Sequence, residues 1–191
     1  MEPTGYGSIP PILCYWISFL ARALPLRSVP PFLELLIGAM ITRRGVVTEA
    51  WLAIAAQRHW TSDYKWLERG RWSWLRLGQF LGVLLRCSFR RRVWYWVIDD
   101  TVICRASAKA AESRFHHHAR KANRPAYLRG QGWVMLAAIL SRGRRLCLAI
   151  PLLPRLQRAT GQGSKLTTAR VLIRAMGWAF QDLQVRLLLD S

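Results

Sequence analysis

Acidic residues are scarce in this chain. Among its 191 residues there are ten Asp and Glu against 29 Lys and Arg, which leaves a formal net charge of +19 at pH 7. Folding does not require such an excess, because like charges repel one another in a compact chain. The charge therefore predicts a polyanionic partner, with nucleic acid as the first expectation and an anionic membrane surface as the second.

The positive charge is unevenly distributed along the sequence. Residues 1–88 hold ten basic and five acidic side chains, whereas residues 89–191 hold nineteen basic and five acidic ones. We therefore expect the polyanion to meet mainly the second half of the chain.

Cysteine is also rare, and its spacing fits neither a metal site nor a redox site. The four cysteines are Cys14, Cys87, Cys104 and Cys147, without a C-x-x-C pair and mostly among apolar neighbours. This pattern favours buried, reduced thiols over disulfides or zinc ligands. A reducing compartment follows, so we expect a cytoplasmic protein.

Long apolar runs are missing too. The longest candidate, residues 11–41, is interrupted by Arg22 and Arg27, is broken by three prolines and has no basic segment before it. Neither half reaches the roughly 20 apolar residues that a membrane span needs. We predict two core helices there and no membrane partner.

The first half of the chain has helical periodicity, which predicts a helical domain over residues 1–88. Within it, residues 48–72 have the length of a helix-turn-helix, and we expect this domain to bind DNA through phosphate contacts. The candidate contacts are Arg58, His59, Lys65, Arg69 and Arg71. Two core helices with a solvated basic face are the alternative, and the pattern does not decide between them.

From Val93 the periodicity changes to that of strands. The runs "VWYWVIDDTVICR", "GWVMLAAILSRG", "RRLCLAIPLL" and "QVRLLLDS" are strand-like, and a helix with one apolar face lies before the last of them. A polar, basic loop of roughly 25 residues separates the first two runs. The order predicts a mixed sheet of the α+β or α/β class over residues 89–191, with a right-handed helical crossover that makes the last strand parallel to a partner.

Three carboxylates fall at or near the predicted strand ends, where functional groups of such sheets gather. Asp99 and Asp100 follow the first apolar run, and Asp190 follows the last. Aspartates from two adjacent strands could hold Mg²⁺ or Mn²⁺ against a phosphodiester. Alternatively, Asp99 and Asp100 begin the basic loop and pair with nearby arginines. The spacing leaves both readings open, and also which of the two aspartates would face a metal.

Further basic side chains lie beside the first strand and in the loop, and we expect them to contact DNA phosphates. They are Arg90, Arg91, Arg92, Arg120, Lys121 and Arg124. The triple histidine His116 to His118 lies in the same loop and is expected to add donors there rather than to bind zinc, because adjacent side chains of an extended segment seldom converge on one ion.

The motifs "WVIDDT", "GQGWVMLAAIL", "LAIPLLPRL", "KLTTARVLIRAM" and "VRLLLDS", taken in order, resemble insertion-sequence transposases of the DDE class. Their catalytic domain has an RNase H-like fold. The stretch "GAMITRRGVVTEAWLAIAAQRHWTSDYKWLERGRWSW" is similar to their helical N-terminal region. The resemblance covers nearly the whole chain.

This resemblance implies Mg²⁺- or Mn²⁺-dependent cleavage and strand transfer of transposon-end DNA. It implies that Asp100, the residue before Thr101, is the first catalytic acid and a metal ligand, and that Asp99 is the competing residue for this role. It implies that Asp190 is the second acid and a further metal ligand.

The family's third acid, a glutamate, should follow the second by tens of residues, yet the sequence stops one residue after Asp190. We therefore expect an N-terminal fragment with an incomplete RNase H-like sheet that is inactive alone. Its expected protein partners are further copies of the chain or an intact transposase. The alternative is a basic, repressor-like DNA-binding protein without chemistry.

Overall fold

A computed structural model describes residues 10–43, 46–54, 56, 58–104, 111–117, 127–142, 146–158 and 164–189 of the chain. The chain divides into two compact units, Met1–Phe80 and Leu81–Ser191. The division falls inside a helix, Trp74–Ser88, whose last residue is the predicted domain boundary.

The first unit is helical, as predicted. It contains α1 (Pro11–Ala21), a 3-10 turn (Leu26–Ser28), α2 (Val29–Ile41), α3 (Val47–Ala53), α4 (Trp60–Arg69) and the start of α5 (Trp74–Ser88). Prolines occupy the first turns of α1 and α2, where a missing N–H group costs nothing. No described helix is long and apolar enough to cross a membrane.

The prediction of two core helices over residues 11–41 is correct for the helices and wrong for the burial of α1. None of the eleven residues of α1 is buried, whereas α2 buries Pro31, Phe32 and Gly38. An apolar sequence favours the helix, but burial also needs neighbouring elements around it. On α2, a Cβ at Gly38 would lie 2.3 Å from the backbone oxygen of Ala50, so only glycine allows α3 to approach this closely.

The second unit combines one mixed sheet with helices. Its strands are β1 (Val93–Cys104), β2 (Arg114–His117), β3 (Tyr127–Arg142), β4 (Leu146–Leu156) and β5 (Gln184–Leu189). β1 pairs antiparallel with β3 and parallel with β5, and the opposite edge of β3 carries β4 and β2. Helix α6 (Lys165–Gly177) lies between β4 and β5 in sequence, so the predicted helical crossover to a parallel strand is confirmed.

The predicted loop between the first two strands is partly wrong. Within it, β2 pairs antiparallel with β3, from Arg114 opposite Gly130 to His117 opposite Tyr127, and β3 begins at Tyr127 rather than near Gly132. Backbone pairing to an existing strand creates β2. Its side chains are too polar to show a strand pattern.

The core of the second unit lies on one face of the sheet. The buried residues Trp94 and Trp96 of β1 meet Phe180, which follows α6, with ring centroids 5.0 and 5.1 Å apart. Leu172 and Met176 of α6 are fully buried. This face is called the helix face below.

All four cysteines are free and exposed, so the prediction of buried thiols is wrong. Cys14 lies on α1, which buries nothing, and Cys87 lies in the last turn of α5. Cys104 ends β1 and Cys147 is the second residue of β4. Apolar neighbours in sequence do not bury a thiol at the end of an element.

Replacing Leu172 with alanine should lower the free energy of unfolding by about 2–5 kcal/mol, because it removes a fully buried side chain and leaves a cavity beneath α6. Leu166→Ala is the matched control on the same helix, since Leu166 is 67% exposed. Urea unfolding of both variants measures the difference. Equal losses would contradict the packing of α6 on the sheet.

Candidate functional site

The two adjacent aspartates of β1 lie on opposite faces of the sheet. Trp94, Trp96 and Ile98 are buried on the helix face, and the two-residue period of a strand places Asp100 on that face and Asp99 on the other. Both lie inside β1 rather than at its end, because β1 continues to pair with β3 as far as Cys104. The parallel pairing of β1 with β5 ends at Ile98 opposite Leu189.

Helix α6 begins directly beside Asp100. Ser164 caps the helix, and its hydroxyl accepts a hydrogen bond from the backbone N–H of Thr167 at 3.3 Å. The next residue, Lys165, donates from Nζ to Oδ2 of Asp100. The two side chains are 59% and 46% exposed, so the ion pair is open to solvent.

Polar side chains from four further positions gather beside this ion pair. Together with it they form what we call the Asp100 cluster, which comprises Asp100, Arg114, His116, Gln157, Lys165 and Thr168. They come from β1, β2, the residue after β4, and α6.

Backbone contacts hold the far side of the cluster in place. His116 Nε2 lies 3.2 Å from the Gly130 carbonyl oxygen, and the backbone N–H of Gln157 donates to Gly132 O at 2.8 Å. The Thr168 hydroxyl donates to Oε1 of the buried Gln157 at 3.5 Å. A Cβ at Gly132 would lie 3.3 Å from His116 Cε1, so the glycine leaves room for the imidazole ring.

The charge of the Asp100 cluster favours an anion. The cluster holds two cationic side chains, Arg114 and Lys165, against one carboxylate. Arginine and lysine donors arranged in this way suit phosphate oxygens.

A pair of divalent metals fits the described residues poorly. They contain no group of three or more His, Cys, Asp or Glu side chains able to hold an ion. A lysine ammonium already contacts Asp100, and Asp99 faces away from it. Asp190, the other expected ligand, lies outside the described residues.

Asp99 lines a small pocket together with Asp100 and Lys165, but the strand period places its side chain on the other face of the sheet. It lines a cavity of about 440 Å³ together with Thr101 and apolar residues that include Val97, Met135 and Pro151. Because these neighbours are mostly apolar and offer no second carboxylate, they do not favour a cation there.

In the first unit, the predicted helix-turn-helix corresponds to α3 and α4, and its candidate residues differ in availability. Arg58 forms an ion pair with Glu34 at 3.5 Å, so its charge is already matched. Lys65 and Arg71 are exposed, and Arg69 pairs with Glu68 only at the surface, where both side chains are largely solvated. DNA contact by these residues stays a prediction.

His59, also among these candidates, has a structural role. It is the N-cap residue of α4, and its Nδ1 accepts a hydrogen bond from the backbone N–H of Thr61 at 3.4 Å.

Several other predicted residues can be placed. Arg90, Arg91 and Arg92 precede β1, and with Arg86 they line a pocket. His116 and His117 belong to β2 rather than to a loop. His118, Arg120, Lys121 and Arg124 lie outside the described residues.

Four members of the cluster were not predicted from the sequence, namely Arg114, Gln157, Lys165 and Thr168. Of these four, only Lys165 has a position that the sequence indicates, because it follows Ser164, a good helix N-cap, and so begins a helix. The others depend on the pairing of β2 with β3 and on the placement of α6.

No known protein family, curated protein or solved structure matches the chain.

The Asp100–Lys165 ion pair should contribute little to stability. For a pair this exposed we expect Asp100→Asn, Lys165→Met and the double variant each to change the free energy of unfolding by no more than about 1 kcal/mol. Urea unfolding in a double-mutant cycle tests this. A coupling free energy well above that value would mean that Asp100 is retained for folding.

A buried carboxylate in the first unit should make stability depend on pH. Asp63 is fully buried, and neither of its oxygens has a hydrogen-bond partner. Burial raises its pKa above the usual 3.8, the charge of nearby Glu34 raises it further, and Arg58 lowers it. The folded chain therefore binds this proton more tightly than the unfolded chain. The contribution of Asp63 to the free energy of unfolding is fully present below about pH 3.8, the ordinary pKa of the group. It is lost as the pH rises through the pKa of the folded chain.

Asp63→Asn should accordingly raise the free energy of unfolding near neutral pH and give a smaller gain at acidic pH. Urea unfolding at about pH 7 and about pH 4 measures the difference. Glu68→Gln is the control, because Glu68 lies on the same helix and its side chain is 67% exposed. A gain that is equal at both pH values would contradict a raised pKa for Asp63.

Proposed function

We propose that this chain is a transposase-type DNA-binding protein of the DDE class, with an RNase H-like sheet in its second unit. The family chemistry would be cleavage and strand transfer at transposon ends. We propose that the chain alone binds DNA without cutting it, in the cytoplasm.

The strand order carries this proposal. Three antiparallel strands, β1, β3 and β4, are followed by α6 and then by β5, which lies parallel to β1 and beside it. The transposase resemblance places its first acid on the first strand and its second after the first helix. Asp100 lies on β1 beside α6, just beyond the last residue pair with β5.

The Asp100 cluster supports DNA as the ligand. Lys165 and Arg114 offer cationic hydrogen-bond donors on one face of the sheet, with the imidazole of His116 beside them. Phosphate contacts of this kind supply most of the affinity for DNA and little of the sequence specificity.

Metal-dependent chemistry would need more ligands than the described residues provide. In the family, Mg²⁺ or Mn²⁺ supplies the charge that activates a nucleophile and stabilises the leaving oxygen. Here Asp100 is paired with Lys165, and the described residues contain no group of three or more His, Cys, Asp or Glu side chains that could hold an ion. We therefore assign binding to this chain and derive no catalytic step.

The Lys165 contact also favours a second candidate function, a DNA-binding protein without chemistry that competes with an intact transposase. A repressor of this kind needs sequence-specific binding. Specific binding to transposon terminal inverted repeats over scrambled duplexes would support it, and equal, salt-sensitive binding to both would exclude it.

Arg114→Gln should weaken duplex binding and make the dependence of log K on log salt less steep by about one. Arg129→Gln is the matched control, because Arg129 is the residue before Gly130 on β3 and belongs to the opposite face of the sheet. Fluorescence anisotropy with a labelled duplex at several salt concentrations measures both. Equal effects of the two variants would contradict a phosphate contact at the Asp100 cluster.

The same duplex incubated with Mg²⁺ should remain intact. Cleavage by the purified wild-type chain that is lost in Asp100→Ala would contradict the assignment of binding alone. Failure of the wild-type chain to bind any duplex would contradict the proposed function.

A further inference from the structure

A second positively charged pocket lies at the start of β1, away from the Asp100 cluster. It is lined by Arg86 from the last turn of α5, by Arg90, Arg91 and Arg92 between α5 and β1, and by Leu183 from the turn before β5. Its volume is about 400 Å³, enough for a phosphate group with its attached sugar. We call it the arginine pocket.

Two of the four arginines are anchored by neutral oxygens. Arg86 donates to the backbone oxygen of Ala179 at 3.4 Å. Arg91 donates to the backbone oxygen of Ser141 and, at 3.4 Å, to its hydroxyl. These bonds hold the guanidinium groups in place while leaving their positive charge unmatched.

No carboxylate in the described part of the chain neutralises the pocket. The ion pairs found there join Arg58 to Glu34, Arg69 to Glu68 and Lys165 to Asp100, and none of them involves a pocket arginine. The nearest acidic residue in sequence, Asp182, precedes Leu183 and is exposed. Four unmatched guanidinium groups around one concavity repel one another, so an anion bound among them would relieve this cost.

We infer that the arginine pocket binds backbone phosphates of nucleic acid as a site separate from the Asp100 cluster. Arginine forks match phosphate oxygens two at a time, and the exposed Arg90 and Arg92 are available to close on a phosphate beside the anchored pair. The inference rests on the proposed DNA-binding function and adds a second contact point to it.

The separation of the two sites sets the size of the ligand. With a rise of about 3.3 Å per strand residue, Arg92 lies roughly 25 Å from Asp100 along β1. A duplex of at least about eight base pairs would be needed to span that distance.

The test compares two double variants that remove the same charge. Arg90→Gln with Arg92→Gln alters the pocket, whereas Arg170→Gln with Arg174→Gln alters two exposed arginines of α6 outside both sites. Binding of a labelled duplex of about 20 base pairs is measured by fluorescence anisotropy over a series of salt concentrations. Far-ultraviolet circular dichroism confirms that both variants are folded.

We expect the pocket variant to bind roughly tenfold or more weakly at low salt, with the slope of log K against log salt less steep by nearly two, and the control variant to change far less. Equal losses in both variants would overturn the pocket while leaving the proposed function intact. Absence of wild-type binding would overturn both. If pelleting with anionic phospholipid vesicles depends on Arg90 and Arg92 while duplex binding is unchanged in the pocket variant, the ligand of the arginine pocket is a membrane surface and the inference is overturned.

Discussion

Trp94 and Trp96 set their rings edge-on against Phe180, and this interaction fixes which side of β1 faces the helices. Because side chains alternate along a strand, the orientation of these two residues determines that of every residue after them. Asp100 therefore lies beside α6, and Asp99 borders the apolar cavity on the other face. A shift of β1 by one residue would exchange the faces of the two aspartates and place Asp99 beside α6 instead.

The few carboxylates of the chain have different surroundings, and these explain their different properties. Asp63 is buried without a hydrogen-bond partner, and burial raises its pKa. Asp100 is about half exposed and pairs with a lysine, so its charge is both solvated and matched. In a chain with so much positive charge, an exposed carboxylate readily finds a cation. A cationic partner at Asp100 is therefore weak evidence that this carboxylate serves as a metal ligand.

Sequence periodicity was enough to predict the helices of the first unit and the crossover from α6 to a parallel β5. It could not predict β2, since Arg114 and His116 carry no apolar alternation and their strand exists only through pairing with β3. Nor could it choose between Asp99 and Asp100. That choice needs the position of Phe180, which lies about 80 residues further along the chain and reaches β1 only in the folded unit.

Lys165 occupies a position where a cation is unfavourable by itself. It is the first residue of α6, and the positive end of the helix dipole repels an ammonium group there. Asp100 offsets this repulsion in the free chain. A DNA phosphate bound at the Asp100 cluster would meet the lysine, Arg114 and the helix dipole together, and so could replace the carboxylate as the partner of Lys165. The same three positive groups would repel a divalent cation. The electrostatics of the described residues thus favour phosphate at this position over metal.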